Sequence, residues 1–402
     1  MSGPNRRMLA AAAALIAVAV ASIAALGSYW DSVADAELEA ARAAIRDRGL
    51  PEDLGEIDAY LERVYGPVPA AENGAPALTA AIGAINAIDD LLPHRLDDAD
   101  GYEDPEEARR FLATHGHLAL PVQVALRDFR RFRYESDWWT DEGPDTPAGL
   151  GFMQAANLLE LRAWDRRLAG DLSAALQETS ALVALGQSLR EVPRPIEQMC
   201  RLACLDMATT QLRDLLELAD APLELLTALP AIDVRPEFAA ALATEAAFYR
   251  TVTKDVFAEI EESGSGLGLV PSGAAMKLDL ARVLRLQLEA IDLAAELDRE
   301  TVATLRAKEA AFVEDAGMLA KLLVTSNSSI LERVLTWEDK WALTRFGAQV
   351  LALHRQLGRW PHADELPTAP TSAAEGSELR WSVTDEGFAT TLGEATWTIR
   401  AR

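Results

Sequence analysis

The chain reads as mainly α. The expected parts are an N-terminal transmembrane helix, an irregular array of antiparallel helices and a small C-terminal antiparallel β-meander. Three observations predict this. Residues 8–26 (MLAAAAALIAVAVASIAAL) carry no charge. Alanine and leucine dominate while aromatics are only 6%, which favours helices over sheets. Only residues 379–399 switch to β-rich, partly alternating segments.

A helix rises about 1.5 Å per residue, so residues 8–26 reach roughly 28 Å, near the hydrocarbon thickness of a bilayer. Arg6 and Arg7 precede the run, and Asp31, Asp35, Glu37 and Glu39 follow it. Positive charge stays on the cytoplasmic side. A single-pass cell-membrane protein is therefore expected, with the N-terminus inside and the bulk of the chain extracytoplasmic. Tyr29 and Trp30 stand where an interfacial aromatic belt would lie. Two alternatives stay open: a cleaved signal peptide, for which Ala19, Ala21 and Ala24 are suitably small, and a buried soluble helix. The run exceeds the usual signal core of about 7–15 residues, which favours the uncleaved anchor.

At 402 residues the chain can hold two domains or one elongated body. Lys plus Arg number 38 against 63 acids, a net charge of −25. Such a body repels nucleic acid, and nucleic-acid binding is not expected. The two cysteines, Cys200 and Cys204, share one helix face at i, i+4. A regular helix holds such a pair in poor disulfide geometry, so two small buried side chains are expected.

Five regions are expected: an anchor at 1–30, a helical region at 31–150, a helical hairpin region at 151–262, a long-helix region at 274–357 and a β tail at 358–402. Residues 31–48 continue the first helix until Gly49 and Pro51 stop it. A short helix is predicted over 54–64, an irregular crossing over 66–76 and a buried apolar helix over 77–92. Residues 96–107 (LDDADGYEDPEE) form an acidic loop, with Pro105, Glu106 and Glu107 suited to the first turn of the next helix. Residues 118–134 are expected to be helical and to carry the basic and aromatic cluster RDFRRFRY, paired with the acidic loops around it. The polar segment 135–149 holds Trp138 and Trp139, either as anchors of the loop or as a partner contact.

The clearest helical pair follows. Phe152, Ala155, Ala156, Leu159 and Ala163 form one stripe, Gly170 ends that helix and Asp171 caps the next. Leu172, Ala175, Leu176, Thr179, Leu182 and Leu189 form the second stripe. A third helix runs over 196–218. Pro222, Pro230 and Pro236 punctuate helices at 223–229 and 236–262. In the second of these, Glu245 lies among Ala243, Ala246, Ala247 and Phe248. A carboxylate buried there is either paired, with Arg250 as the ordinary partner, or functional. After a Gly-rich connector at 262–273, helices are predicted over 276–297, 299–313 and 319–357, the last broken near 326–329. Its stripe is Leu343, Phe346, Val350, Leu353 and Leu357. GRWP (358–361) stops it. LRWSV (379–383), FATTL (388–392) and ATWTI (395–399) are then three strands, and so small a meander needs the long helix to pack on.

The run LLELRAWDRRLAGDLSAALQETSALVALGQSL (158–189) resembles one tetratricopeptide-type hairpin turning at Gly170-Asp171, a unit that cannot bury its face alone. Together with residues 49–76 and with RFGAQVLALHRQLGRWPHADEL (345–366), it resembles a loosely defined group of uncharacterised bacterial membrane-anchored helical proteins. That resemblance implies an exported helical body. Residues 345–392 are also similar to the globular part of type II secretion pseudopilins, in which a helix ends in a Gly-x-x-Pro turn and a small sheet follows. This implies a secretion- or pilus-associated role. The chain departs from that pattern because its anchor does not run straight into the sheet.

Catalytic signatures are missing: no G-x-S-x-G elbow, Walker A loop, H-E-x-x-H or dinucleotide fingerprint. The histidines are His94, His115, His117, His354 and His362, and spacing marks no third ligand beside His115 and His117. No catalytic, cofactor-binding or metal residue is expected, and no cofactor. The leading expectation is a membrane-tethered extracytoplasmic binding or scaffold protein with a protein partner. A hydrolase with an unfamiliar site would require His115, His117, Glu245 and His354, or two of them, to converge in a deep pocket.

Overall fold

The computed structural model describes residues 4–88, 92–93, 101–134, 149–218, 230–263, 273–315, 326–372, 378–384 and 387–400. It is mainly helical and ends in a three-stranded antiparallel sheet. The long first helix α1 (Pro4–Asp47) is followed by α2 (Ile57–Tyr65), α3 (Ala75–Asn86), α4 (Pro105–His115) and α5 (Ala119–Asp128). Next come α6 (Gly149–Leu168), α7 (Leu172–Ser188), α8 (Pro195–Leu216) and α9 (Arg235–Ser263). The helices end with α10 (Gly273–Ala295), α11 (Arg299–Asp315) and α12 (Asn327–Leu357). The strands are β1 (Arg380–Thr384), β2 (Gly387–Leu392) and β3 (Ala395–Ile399). The segment bearing Trp138 and Trp139, the helix expected over 223–229 and most of the 262–273 connector lie outside the described residues.

The apolar run at 8–26 falls largely on the part of α1 whose side chains are also outside those described. Among the described residues no helix is long and apolar enough to cross a membrane. The second half of α1 belongs to the body. Leu38, Ala41 and Ile45, at helical spacing, bury against Leu280, Ala281, Leu284 and Leu288 of α10. Each large aliphatic buried here contributes about 1.5–3 kcal/mol. Asp35 pairs with Lys277 at 2.7 Å and Arg48 with Asp292 at 2.8 Å, so the two helices run parallel. Such exposed pairs stabilise by only about 0–1 kcal/mol each, and they fix register more than stability.

Two large cores share α8. One holds Leu78, Ile82 and Ile85 of α3, Val122 of α5, Phe152 and Leu159 of α6, and Leu182 and Leu185 of α7. The other holds Phe238 of α9, Trp337 and Phe346 of α12, and Phe388 of the sheet. Cys204 and Ala208 face the first core while Leu205 and Leu212 face the second. A helix apolar on both sides sits between layers. Caps match the local sequence: Asp104 accepts from the Glu106 and Glu107 N–H groups at 2.9 and 3.0 Å, and Asp171 from Ala174 N–H at 3.2 Å. Gly358 ends α12 at φ +67°, a left-handed position that glycine takes without a Cβ penalty, and its N–H donates to His354 O at 2.9 Å.

β2 is the central strand, pairing Val383 with Phe388 on one side and Phe388 with Ile399 on the other. Phe388, Leu392 and Ile399 are fully buried against the face of α12. Close approach is possible because residue 347 is glycine: a Cβ there would fall inside the Trp397 indole. Trp397 Nε1 donates to Glu217 Oε1 at 3.2 Å, tying the sheet to the end of α8. Of the expected α12 stripe, Leu343, Phe346 and Val350 are buried, whereas Leu357 is 40% exposed at the last turn.

One element departs from expectation. The helix predicted over 118–134 stops at Asp128, and Phe129 is extended at φ −115°, ψ 149°. Arg131 bridges to Asn73, and its carbonyl accepts from Gly74 N–H at 2.9 Å. The cause is the alternation Arg131-Phe132-Arg133-Tyr134, a period of two that belongs to an extended segment. Phe132 and Tyr134 bury, and Arg131 and Arg133 both turn to one carboxylate, Glu191, while most of the acidic loop residues expected to pair with the cluster lie outside the described residues.

Candidate functional site

A largely apolar cleft of about 620 Å³ lies between α6, α8 and α12. Its walls follow from helical spacing. Met199, Cys200 and Ala203 come from one face of α8, Arg333, Thr336, Trp337 and Lys340 from one face of α12, and Met153 from the second turn of α6. The volume falls within the range of small-ligand and side-chain pockets, about 300–1,000 Å³. Methionines adapt their shape to what they contact.

Trp337 is the anchor of this wall. It is only 2% exposed and stacks on Trp341, with centroids 5.9 Å apart and planes 17° apart. Trp341 donates its indole N–H to Pro230 O at 3.2 Å. The Trp337 N–H is buried without an acceptor. An unsatisfied buried donor costs about 1–3 kcal/mol. The rim is charged: Lys340 Nζ sits 2.9 Å from Asp206 Oδ1, and Glu332 pairs with Arg306.

The cleft holds no activated nucleophile. Burial, then the nearby Glu197 carboxylate, pushes the Cys200 thiol up to about 11, so it is a neutral thiol at physiological pH. Cys204, fully buried, is pushed up further by desolvation. Both cysteines are free. Behind the cleft, Arg213 donates to Thr344 Oγ1 at 2.8 Å and to Lys340 O at 3.0 Å, and burial lowers its guanidinium to about 10. It lies 5.3 Å from the Trp397 ring centroid, a cation–π contact joining cleft, helix and sheet.

Comparison of the chain with known protein families, with characterised proteins and with solved structures gives no match.

The residues singled out in the sequence lie apart from the cleft. Glu245 is half-buried on α9 and accepts from the Tyr249 hydroxyl at 3.0 Å. Arg250 turns instead to the carbonyls of Ala246 and Pro51, and burial lowers it to about 10. His115 rests on Phe111 with ring centroids 5.0 Å apart, His117 is exposed in a 3-10 turn, and His354 stacks on Trp360 at 4.0 Å. These groups occupy separate surroundings, and among the described residues no cluster of three His, Cys, Asp or Glu side chains suits a metal ion. Met153, Met199 and Trp337 were not singled out. The i, i+4 spacing of Trp337 and Trp341 is the one signal that marks this wall.

Proposed function

We propose that the chain is a membrane-tethered extracytoplasmic binding protein that receives an apolar side chain of a protein partner in the α6–α8–α12 cleft. The observation that carries this reading is the Trp337 wall: an apolar cleft lined by Met153, Met199, Leu202 and Trp337, with ion pairs at its rim. Aromatic anchors of this kind carry most of the energy at protein interfaces. The tether is supported by the continuity of α1, which joins the uncharged run at 8–26 to turns buried in the body. The Arg6 and Arg7 pair orients that span with the body outside. The α6–α7 pair, read as a tetratricopeptide-like hairpin, supports a binding role of the same class. It is braced by Arg162 on Glu178 at 2.6 Å.

The test is affinity capture from solubilised membranes with the full-length chain and with Met199→Arg, which puts a charge into the cleft. A defined partner retained by the wild type and lost by the variant supports the reading. Absence of a specific partner, or equal capture by the variant, contradicts it. A second reading, a secretion- or pilus-associated accessory, is favoured by the seating on α12 of the small sheet that follows the Gly358 stop in the chain. Co-purification with a secretion apparatus, abolished when the sheet is removed, would select it.

A further inference from the structure

A second concavity, about 260 Å³, lies between the end of α2, the extended segment after α5 and the end of α7. Its walls include Tyr65, Arg130, Arg131, Gln187 and Arg190. In a chain of net charge −25, its surroundings are positive. Arg130, Arg131, Arg133, Arg190, Arg194 and Arg201 stand here against Glu191, Glu197 and Glu237, two guanidiniums for each carboxylate.

Glu191 and Glu237 each already meet two guanidiniums, although Oε2 of Glu237 and Oε2 of Glu197 are buried without a hydrogen-bond donor. Glu191 lies between Arg131 and Arg133, at 2.8 and 2.7 Å. Glu237, 1% exposed, lies between Arg190 at 2.5 Å and Arg201 at 3.4 Å. Donors remain over. The Gln187 side-chain nitrogen is buried without an acceptor, and so is Nε of Arg201, which is 1% exposed and reaches Gln187 Oε1 at 3.4 Å. Arg130 has no acidic partner among the described residues. Arg190 spends Nε on Glu237 while its side chain stays 59% exposed, leaving the rest of the fork to be shared. A cavity lined by Arg130, Arg190 and the Gln187 amide, in surroundings with more guanidiniums than carboxylates, is complementary to a planar or tetrahedral oxyanion.

We propose that this cavity binds a small soluble oxyanion, a carboxylate or phosphate, between Arg130, Arg190 and the Gln187 amide, with Phe132 and Val64 against its apolar part. The source is assigned by position, and that assignment alone rests on the membrane reading. Arg48 meets Asp292 near the end of α10, roughly 27 Å along α1 from Trp30. Glu237 opens α9, which packs on α10 and joins it through residues 264–272, so it lies at this same distal end. A bilayer headgroup does not reach it.

The experiment is calorimetric titration of the full-length chain, reconstituted in detergent-free phosphatidylcholine nanodiscs, with inorganic phosphate, with succinate, and with phosphatidylglycerol vesicles. Saturable binding of phosphate or succinate, weakened at least tenfold by Arg130→Ala and partly restored by Arg130→Lys, supports the proposal. Arg130 is exposed, so both variants are expected to fold. As a second handle, Gln187→Leu should weaken binding while leaving the circular dichroism spectrum unchanged. Binding that is absent, non-saturable or indifferent to Arg130 overturns the proposal, as does binding seen only with the vesicles. Membrane fractionation reports on the tether independently, so the two failures are distinguishable.

Discussion

Removing Glu237 strands a buried cation, and the cost is open to measurement. Arg201 and Glu237 are each 1% exposed and meet at 3.4 Å in the layer between α8 and α9. Burial already presses the Arg201 guanidinium below its ordinary value, and the Glu237 carboxylate opposes that. Deleting one member of such a pair costs about 3–5 kcal/mol, because the other charge stays desolvated without its counterion. Arg190, also on Glu237, is 59% exposed and returns to water at little cost. Glu237→Ala is therefore expected to lower stability by about 3–5 kcal/mol in urea unfolding of the full-length chain, followed by far-ultraviolet circular dichroism. The paired change Arg201→Met with Glu237→Leu removes both charges and keeps the volume filled. It loses the contacts to Gln198 Oε1 at 3.2 Å and Gln187 Oε1 at 3.4 Å, about 1 kcal/mol each. The double variant should thus lie within about 2 kcal/mol of wild type. A single variant costing under about 1 kcal/mol, or a double variant as unstable as the single, refutes the reasoning.

Three further outcomes are expected. Gly347→Leu drives a side chain into the Trp397 ring, so the sheet should leave α12 at a cost of about 1–3 kcal/mol or more. Limited proteolysis should then cleave after residue 372, and an unchanged digest would contradict the seating. Trp337→Phe leaves one aromatic ring and removes the orphan N–H, which offsets part of the cavity cost, so it should destabilise by about 1–2 kcal/mol, whereas Trp337→Ala should cost about 3–5 kcal/mol. Thermal unfolding of both checks this. Finally, the Arg359 guanidinium, with the His362 N–H, holds the exposed Glu365 carboxyl down to about 2 from its ordinary 4.5. A pKa depressed on folding gives stability that is complete above pH 4.5 and lost as pH falls through about 2. Glu365→Gln should flatten the acid limb of the stability profile in that window, and an unchanged limb would count against the pair.

What was legible in the sequence was periodicity within one element. Phe152, Ala155, Ala156, Leu159 and Ala163 fall on one buried face because a single helix carries the whole stripe. The strands bounded by turn residues lie where their alternation put them. The extended segment after Asp128 departs from the helix its composition predicts because a short run of Arg and aromatic residues fits a helix by composition and a strand by period. Period decided. The sites were illegible for a different reason. The cleft takes Met153, Met199 and Trp337 from three helices, and the oxyanion cavity takes Tyr65, Arg131 and Arg190 from three more places in the chain. No local spacing links such residues, and only tertiary packing brings them together, of α6, α8 and α12 at the cleft and of α2, the segment after α5 and α7 at the cavity.

The proposed tether and everything built on its sidedness meet their most direct test in alkaline carbonate extraction of membranes from cells expressing the native chain, read by immunoblot and intact mass. The expected result is a full-length 43.5 kDa polypeptide in the carbonate-resistant pellet, digestible by protease only from the extracytoplasmic side. A full-length chain in the soluble cytosolic fraction, or a released body lacking residues 8–26, contradicts the account.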